Sequence, residues 1–170
     1  MKHFTILIIT LIVLSSCQQQ KIGFVDNSKL INDYKEKKDI ESRIQSKINA
    51  FQKRTDSLQQ AFQLEVNEAE IKAKRMSQSE IQKLMKEFQD REQVLSQRVQ
   101  FERQQIAQES QSQNDSLIQK IRDFVGDYAK SKGYDYILGS NEAGSVMFGN
   151  EDNDLTEAIL EALNSSYSSN

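Results

Sequence analysis

The chain has no proline and no tryptophan, one cysteine, one histidine and six glycines in 170 residues, and no glycine lies between Gly23 and Gly126. About a hundred residues therefore carry neither helix breaker. Inside a helix Gly costs roughly 1 kcal/mol and Pro roughly 3, so uninterrupted helix is the natural state of that stretch. A single cysteine, Cys17, excludes a disulfide within one chain. The single histidine, His3, belongs to the first few residues. Acid–base chemistry would then fall to carboxylates scattered along helix faces beside Lys and Arg, the pattern of solvated i,i+4 pairs. There is no Gly-rich phosphate loop, nucleophile elbow or metal-ligand spacing. Asp152-Asn153-Asp154 lacks the Gly and the distal Glu of an EF-hand loop. These absences argue against an enzyme and imply neither cofactor nor metal.

Apolar matter is also scarce. The chain is 37% hydrophobic and 28% charged, with a mean hydropathy of -0.67. That is thin for a compact core but ordinary for a two-stranded coiled coil, where only the a and d positions need be apolar. Long hydrophobic runs are absent apart from Phe4 to Leu14, which follows the basic start Met1-Lys2-His3. This run is too short to span a membrane, which needs ~20 apolar residues, and has the length of a secretory signal core. It ends in Leu14-Ser15-Ser16-Cys17, which resembles the bacterial lipobox. Residues 1–16 therefore read as a lipoprotein signal, Cys17 as the lipidated residue and 17–21 as a polar tether; an ordinary signal peptide with a chance Cys is the alternative. Acyl chains on Cys17 would hold the protein stably on a membrane. Gln18 in place of Asp makes the outer membrane the expected destination. Without residues 1–16 the chain keeps 21 Lys and Arg against 25 Asp and Glu, a net charge of -4. An acidic balance argues against nucleic acid as the partner.

Lys21 to Asp26 reads as a short strand, and Asp26, Asn27 or Ser28 as the cap of a helix with Leu30, Ile31 and Tyr34 on its apolar face. From Lys35 onward Ile40, Ile44, Ile48, Phe51, Thr55, Leu58, Phe62, Val66, Ala69, Ala73 and Met76 follow in steps of three and four, the spacing of a supercoiled seam. Residues 76–80 interrupt it, and Ser77 with Glu80 forms a capping box that starts a second helix. This predicts a reversal there, with one continuous helix as the alternative. The second seam runs through Ile81, Leu84, Phe88, Leu95, Val99, Ile106, Leu117, Ile121, Phe124 and Tyr128. Between Ala107 and Ser116 it has no large apolar residue, predicting a loose section or a surface facing water. Gly133 supplies a left-handed helix cap. Beyond it, Tyr134 to Leu138 and Ser145 to Phe148 read as strands joined by a turn at 141–144. Asp154 with Glu157 reads as another capping box, Leu155, Ile159, Leu160 and Leu163 give a short amphipathic helix, and Ser165 to Asn170 read as frayed.

The fold expected is α+β: a long antiparallel helical-hairpin arm (35–132, tip near 76–80) on a small body formed by 22–34 and 133–164. Three short strands leave open edges and little core, so pairing between copies is expected. Off the seam fall Leu64, Ile71, Val94 and Phe101, candidates for holding an apolar partner unless helix drift or a contact between copies buries them. Around the tip lie Lys72, Lys74, Arg75, Lys83 and Lys86, a basic patch suited to acidic partners or anionic head groups. A solvated helix surface is the plainer reading of that patch.

The segments KIGFVDNSKLINDY, SKGYDYILGS and NDLTEAILEALN resemble the Skp (OmpH-like) family of periplasmic chaperones over Lys21 to Asn164. Gly133-Tyr134-Asp135, Asp154-Leu155-Thr156 and Leu163-Asn164 carry the resemblance best; the central helices match in pattern only. The resemblance implies a homotrimer whose helical arms enclose a cavity for unfolded outer-membrane or exported proteins, working without ATP in the periplasm. Familiar members are soluble and basic, whereas this chain reads as lipidated and acidic. A coiled-coil lipoprotein serving as a membrane spacer or adaptor is the competing function.

Overall fold

A computed structural model of the chain describes residues 20–141 and 144–168. The signal segment, Cys17 and most of the tether lie outside the described residues, as do Glu142 and Ala143 in the expected turn. Contacts divide the chain into two compact units, one comprising the residues up to Tyr34 together with those from Lys120 onward, the other Lys35–Gln119.

In the first unit, strand β1 (Ile22–Asp26) pairs with β2 (Tyr136–Ser140) in parallel, in the register Ile22 to Tyr136 through Asp26 to Ser140. Parallel strands need a long crossover; here everything between Asp26 and Tyr136 serves as one. Asp26 ends β1 and caps α1 (Asn27–Asp33), its side chain accepting from the Lys29 N–H at 3.0 Å. Tyr34 then takes an extended conformation, which breaks α1 from the following helix. The C-terminal helix α4 (Thr156–Ser168) closes this unit. Its Ile159 and Leu163, with Leu30, Tyr34 and Val25, are buried. The core is fastened by polar contacts as well. The buried Thr156 hydroxyl accepts from the Asp26 N–H at 2.9 Å and donates to Asp154 at 2.5 Å. Gly23 is dictated by packing, since a Cβ there would lie 2.5 Å from Leu155 Cδ1.

The second unit is helical. Helix α2 spans Lys35–Ala73 and α3 spans Gln78–Lys132, its last turns belonging to the first unit. Those turns belong there because the Lys120 ammonium sits 5.6 Å from the Tyr167 ring centroid and the Lys132 carbonyl accepts from the Lys21 ammonium at 2.9 Å. Gly133, at φ +67°, ends α3 in a Schellman motif: its N–H donates to the Lys130 carbonyl and that of Tyr134 to Ala129. Among the described residues no helix is long and apolar enough to cross a membrane.

Four expectations are corrected. Ser145 to Met147 form bends and Phe148 is irregular, so there is no strand here, and Met147 and Phe148 are both 90% exposed. The turn before them does carry a Gly144 N–H to Asn141 carbonyl bond at 3.0 Å. A strand exists only when its backbone finds a ladder, and among the described residues this segment pairs with neither β1, which is taken by β2 and bridged to Asp154, nor the outer edge of β2. The remaining strand begins at Tyr136, not Tyr134, because Tyr134 is consumed in the helix cap. The Asp154–Glu157 capping box does not form. Asp154 accepts from the Thr156 N–H at 2.8 Å, while its own N–H is already bound to the Glu151 carbonyl, so Glu157 reaches Lys29 instead. Finally, Ser165 to Ser168 remain helical, held where the Tyr167 ring meets Tyr34 edge-on at 6.0 Å.

Candidate functional site

Large apolar side chains stand exposed along the second unit. Its two helices run antiparallel, as cross-helix pairs show: Lys37 with Asn114, Lys47 with Glu109, Arg54 with Glu102 and Glu65 with Arg91. As the first number climbs the second falls. The chain turns at residues 74–77, where Arg75 and Met76 donate to the Lys72 and Ala73 carbonyls. The turn is locked by Ser77 and Glu80: the Ser77 N–H and hydroxyl donate to the Glu80 carboxylate at 2.7 and 2.6 Å, and the Glu80 N–H donates back to the hydroxyl at 3.4 Å. The Ser77 hydroxyl and then its N–H hold the Glu80 carboxyl below the usual glutamate range.

Packing weakens towards the turn. Ile40, Ile44, Phe51 and Leu117 are buried, but no described residue between Gln52 and Ser116 is. Two seam positions, Ile48 and Leu58, are themselves exposed. The stretch 107–116, expected to be loose, is bridged by polar groups. Glu109 pairs with Lys47 and accepts from Gln113 at 3.1 Å, and Asn114 accepts from Lys37 at 3.0 Å. Gln113 Oε1 is buried with no hydrogen-bond partner.

Nearer the turn, Phe62 and Phe88 meet edge-on at 5.7 Å across the seam, and the Arg91 guanidinium lies 5.7 Å from the Phe88 ring while pairing with Glu65 at 2.5 Å. On either side of this clasp is an open groove. One, of about 650 Å³, has Leu58, Phe62 and Leu95 in its floor and Lys83, Lys86, Arg91 and Arg98 along its wall. The other, of about 700 Å³, passes over Ala69, Ala73, Ile81 and Phe88. The seam sequence is consistent with both, since Ala61 lines one and Ala69 and Ala73 the other, and an alanine leaves space that a larger seam residue would fill.

The profile of the family described as "Outer membrane protein (OmpH-like)" matches residues 21–163. The chain belongs to the OmpH-like family. No curated protein matches it. Among six matching solved chains is an OmpH-like protein from Caulobacter crescentus CB15, described there as a candidate outer membrane chaperone. It shares 13% identity at a TM-score of 0.76 over 88% of this chain and 86% of that one, a likeness of fold.

On this OmpH-like chain the four off-seam residues are all more than 60% exposed. Leu64 and Ile71 sit two turns apart on α2 and line neither groove; Val94 lines the basic-walled groove, and Phe101 follows it two turns on along α3. The structure therefore does not gather them into one patch. Of the basic residues, Lys83 and Lys86 stand on the wall of that same groove, Lys74 and Arg75 fall in the turn, and Lys72 pairs with Glu68 at 3.8 Å. The sequence reading missed Met85, 68% exposed in the second groove, and the carboxylates beside it. Met85 follows the seam residue Leu84 directly, which puts it on the seam's flank, a signal that heptad counting passes over.

Proposed function

We propose that this protein is an ATP-independent holdase that keeps unfolded outer-membrane or exported proteins from aggregating in the periplasm. Family membership supports a chaperone-type role. The observation that carries the finer reading is the distal hairpin, where Leu64, Ile71, Met85, Val94 and Phe101 stand open to solvent amid dense charge. Scattered apolar groups in a polar surround give many weak contacts and little self-association, which suits a holder that must also release.

The working form in this reading is a homotrimer that shelters its client between the hairpins of its copies, anchored to the outer membrane through acylated Cys17. Exposed Ile22, Tyr136 and Leu138 on the small sheet, with Met147 and Phe148, supply the apolar surface for assembly. The basic residues near the turn, Lys72, Lys74, Arg75, Lys83 and Lys86, attract acidic clients.

The test is light scattering while a denatured β-barrel protein is diluted from urea. At one trimer per client and without nucleotide, the protein should suppress the signal. Aggregation at the rate seen in buffer, together with capture of one defined partner, would establish the spacer reading instead. Mass measurement in solution tests the assembly, and mass spectrometry of the membrane-extracted protein tests the acyl chains on Cys17.

A further inference from the structure

The two grooves beside the aromatic clasp differ in charge. The basic-walled groove carries Lys83, Lys86, Arg91 and Arg98 against Glu65, Glu87 and Asp90, with Arg91 bound to Glu65, and so has a small positive balance. The other has no Lys or Arg in its lining at all, and its charged groups are Glu70 on α2 and Glu92 on α3. Among the described residues neither carboxylate makes an ion pair or hydrogen bond. Between them run the small residues Ala69 and Ala73 and the larger Ile81 and Phe88, with Met85 exposed at the lip. Unpaired charge of one sign thus faces across an unfilled apolar trough.

We propose that this acid-rimmed groove holds extended, cationic amphipathic segments of client chains, so that the hairpin sorts client segments by charge between its two sides. The inference rests on the holdase reading and specifies what one face of that surface takes. In an extended segment alternate side chains point the same way, about 7 Å apart. Val66 to Ala73 is two helical turns, about 10 Å, so two successive inward side chains cover the trough. Lys or Arg at the intervening positions lay their methylene stems along the rim and set their charges against Glu70 and Glu92. Met85, unbranched and polarizable, adapts to side chains of different shape. A segment carrying Asp or Glu in those positions meets like charge here and is directed to Lys83 and Lys86 on the opposite side.

Fluorescence anisotropy on the full chain distinguishes these arrangements. Two labelled peptides share the same alternating apolar residues, with either Lys or Glu at every intervening position. Glu70→Gln combined with Glu92→Gln keeps helix propensity and should weaken the Lys peptide by about threefold to tenfold, two exposed pairs' worth, without weakening the Glu peptide. Lys83→Gln with Lys86→Gln should not weaken the Lys peptide. An unchanged Lys-peptide affinity in the Glu variant overturns the assignment, as does a changed oligomer mass, which would make the groove a contact between copies. If that variant binds the Lys peptide normally while the protein still suppresses aggregation, only the groove is wrong. If wild-type protein neither suppresses aggregation nor binds either peptide, the holdase reading falls and the groove with it.

Discussion

Ile159, Leu30, Tyr34 and Leu163 are all at or below 1% exposure in the first unit, whereas the second has no buried residue from Gln52 to Ser116. Charge divides the same way. From Gln20 onward the first unit has six Lys and Arg against eleven Asp and Glu, the second fifteen against fourteen. One region seals a core of Leu30, Tyr34, Ile159 and Leu163 and fastens its polar groups in pairs, such as Thr156 with Asp26 and Asp154, while leaving Ile22, Tyr136, Leu138, Met147 and Phe148 open at its sheet and loop. The other leaves its seam half-buried, rests on ion pairs and an aromatic clasp, and keeps large apolar groups at the surface. Folding strength and binding surface are drawn from the same few apolar residues, and the sealed core is concentrated in the first unit while the hairpin from Gln52 to Ser116 has none.

The sharpest way to break that comparison is to remove a side chain from the sealed region. Ile159→Ala, at a fully buried site, should cost about 2–5 kcal/mol, as large-to-small changes in well-packed cores do. Urea unfolding followed by circular dichroism measures it. A cost no greater than that of Leu95→Ala in the half-buried seam would show that the first unit is not the tighter of the two.

The contrast was legible in the sequence to different depths. A run without Gly or Pro, and a Ser77–Glu80 pair three residues apart, act locally, so helices and cap follow from the residues themselves. Asp154 and Glu157 have the same spacing, but there the Asp154 N–H is already taken by the Glu151 carbonyl three residues back, a competing turn that the spacing of the pair does not show. Ser145 to Phe148 include strand-forming side chains, yet they do not join the outer edge of β2, and whether a segment docks on an edge is set by the rest of the fold. The parallel pairing of β1 with β2 is equally hidden, since periodicity carries no strand direction. On the hairpin, heptad counting separates seam residues from Leu64, Ile71, Val94 and Phe101. It does not fix the register between the helices, and that register decides which residues of the two share a groove, as Glu70 of α2 and Glu92 of α3 do.

A smaller effect sharpens the comparison from the other side. Phe88→Ala should remove the contact with Phe62 and the Arg91 guanidinium's ring partner, about 1–2 kcal/mol for a half-buried aromatic pair. Because the loss falls where packing is already open, amide exchange should accelerate on both helices near the clasp while the protection of β1, α1 and α4 stays unchanged. Exchange that rises uniformly across both units would mean that the hairpin and the sealed core open together, and the division between them would lose its meaning.

The smallest expected effect is confined to the turn. Hydrogen bonds from Ser77 hold the folded-state pKa of Glu80 below its ordinary value near 4.5. A carboxyl lowered on folding adds stability that is complete above the unfolded pKa and disappears as pH falls through the folded one. Acidification below about pH 4.5 should therefore loosen the start of α3, read from the backbone chemical shifts of Ser77 to Ile81. Glu80→Gln, which keeps a side-chain acceptor but cannot titrate, should flatten this local response. The difference between wild type and variant is the quantity to follow. If both lose helical shifts at the turn equally as pH falls, the cap is not the group responsible, and the openness of the distal hairpin owes nothing to Glu80.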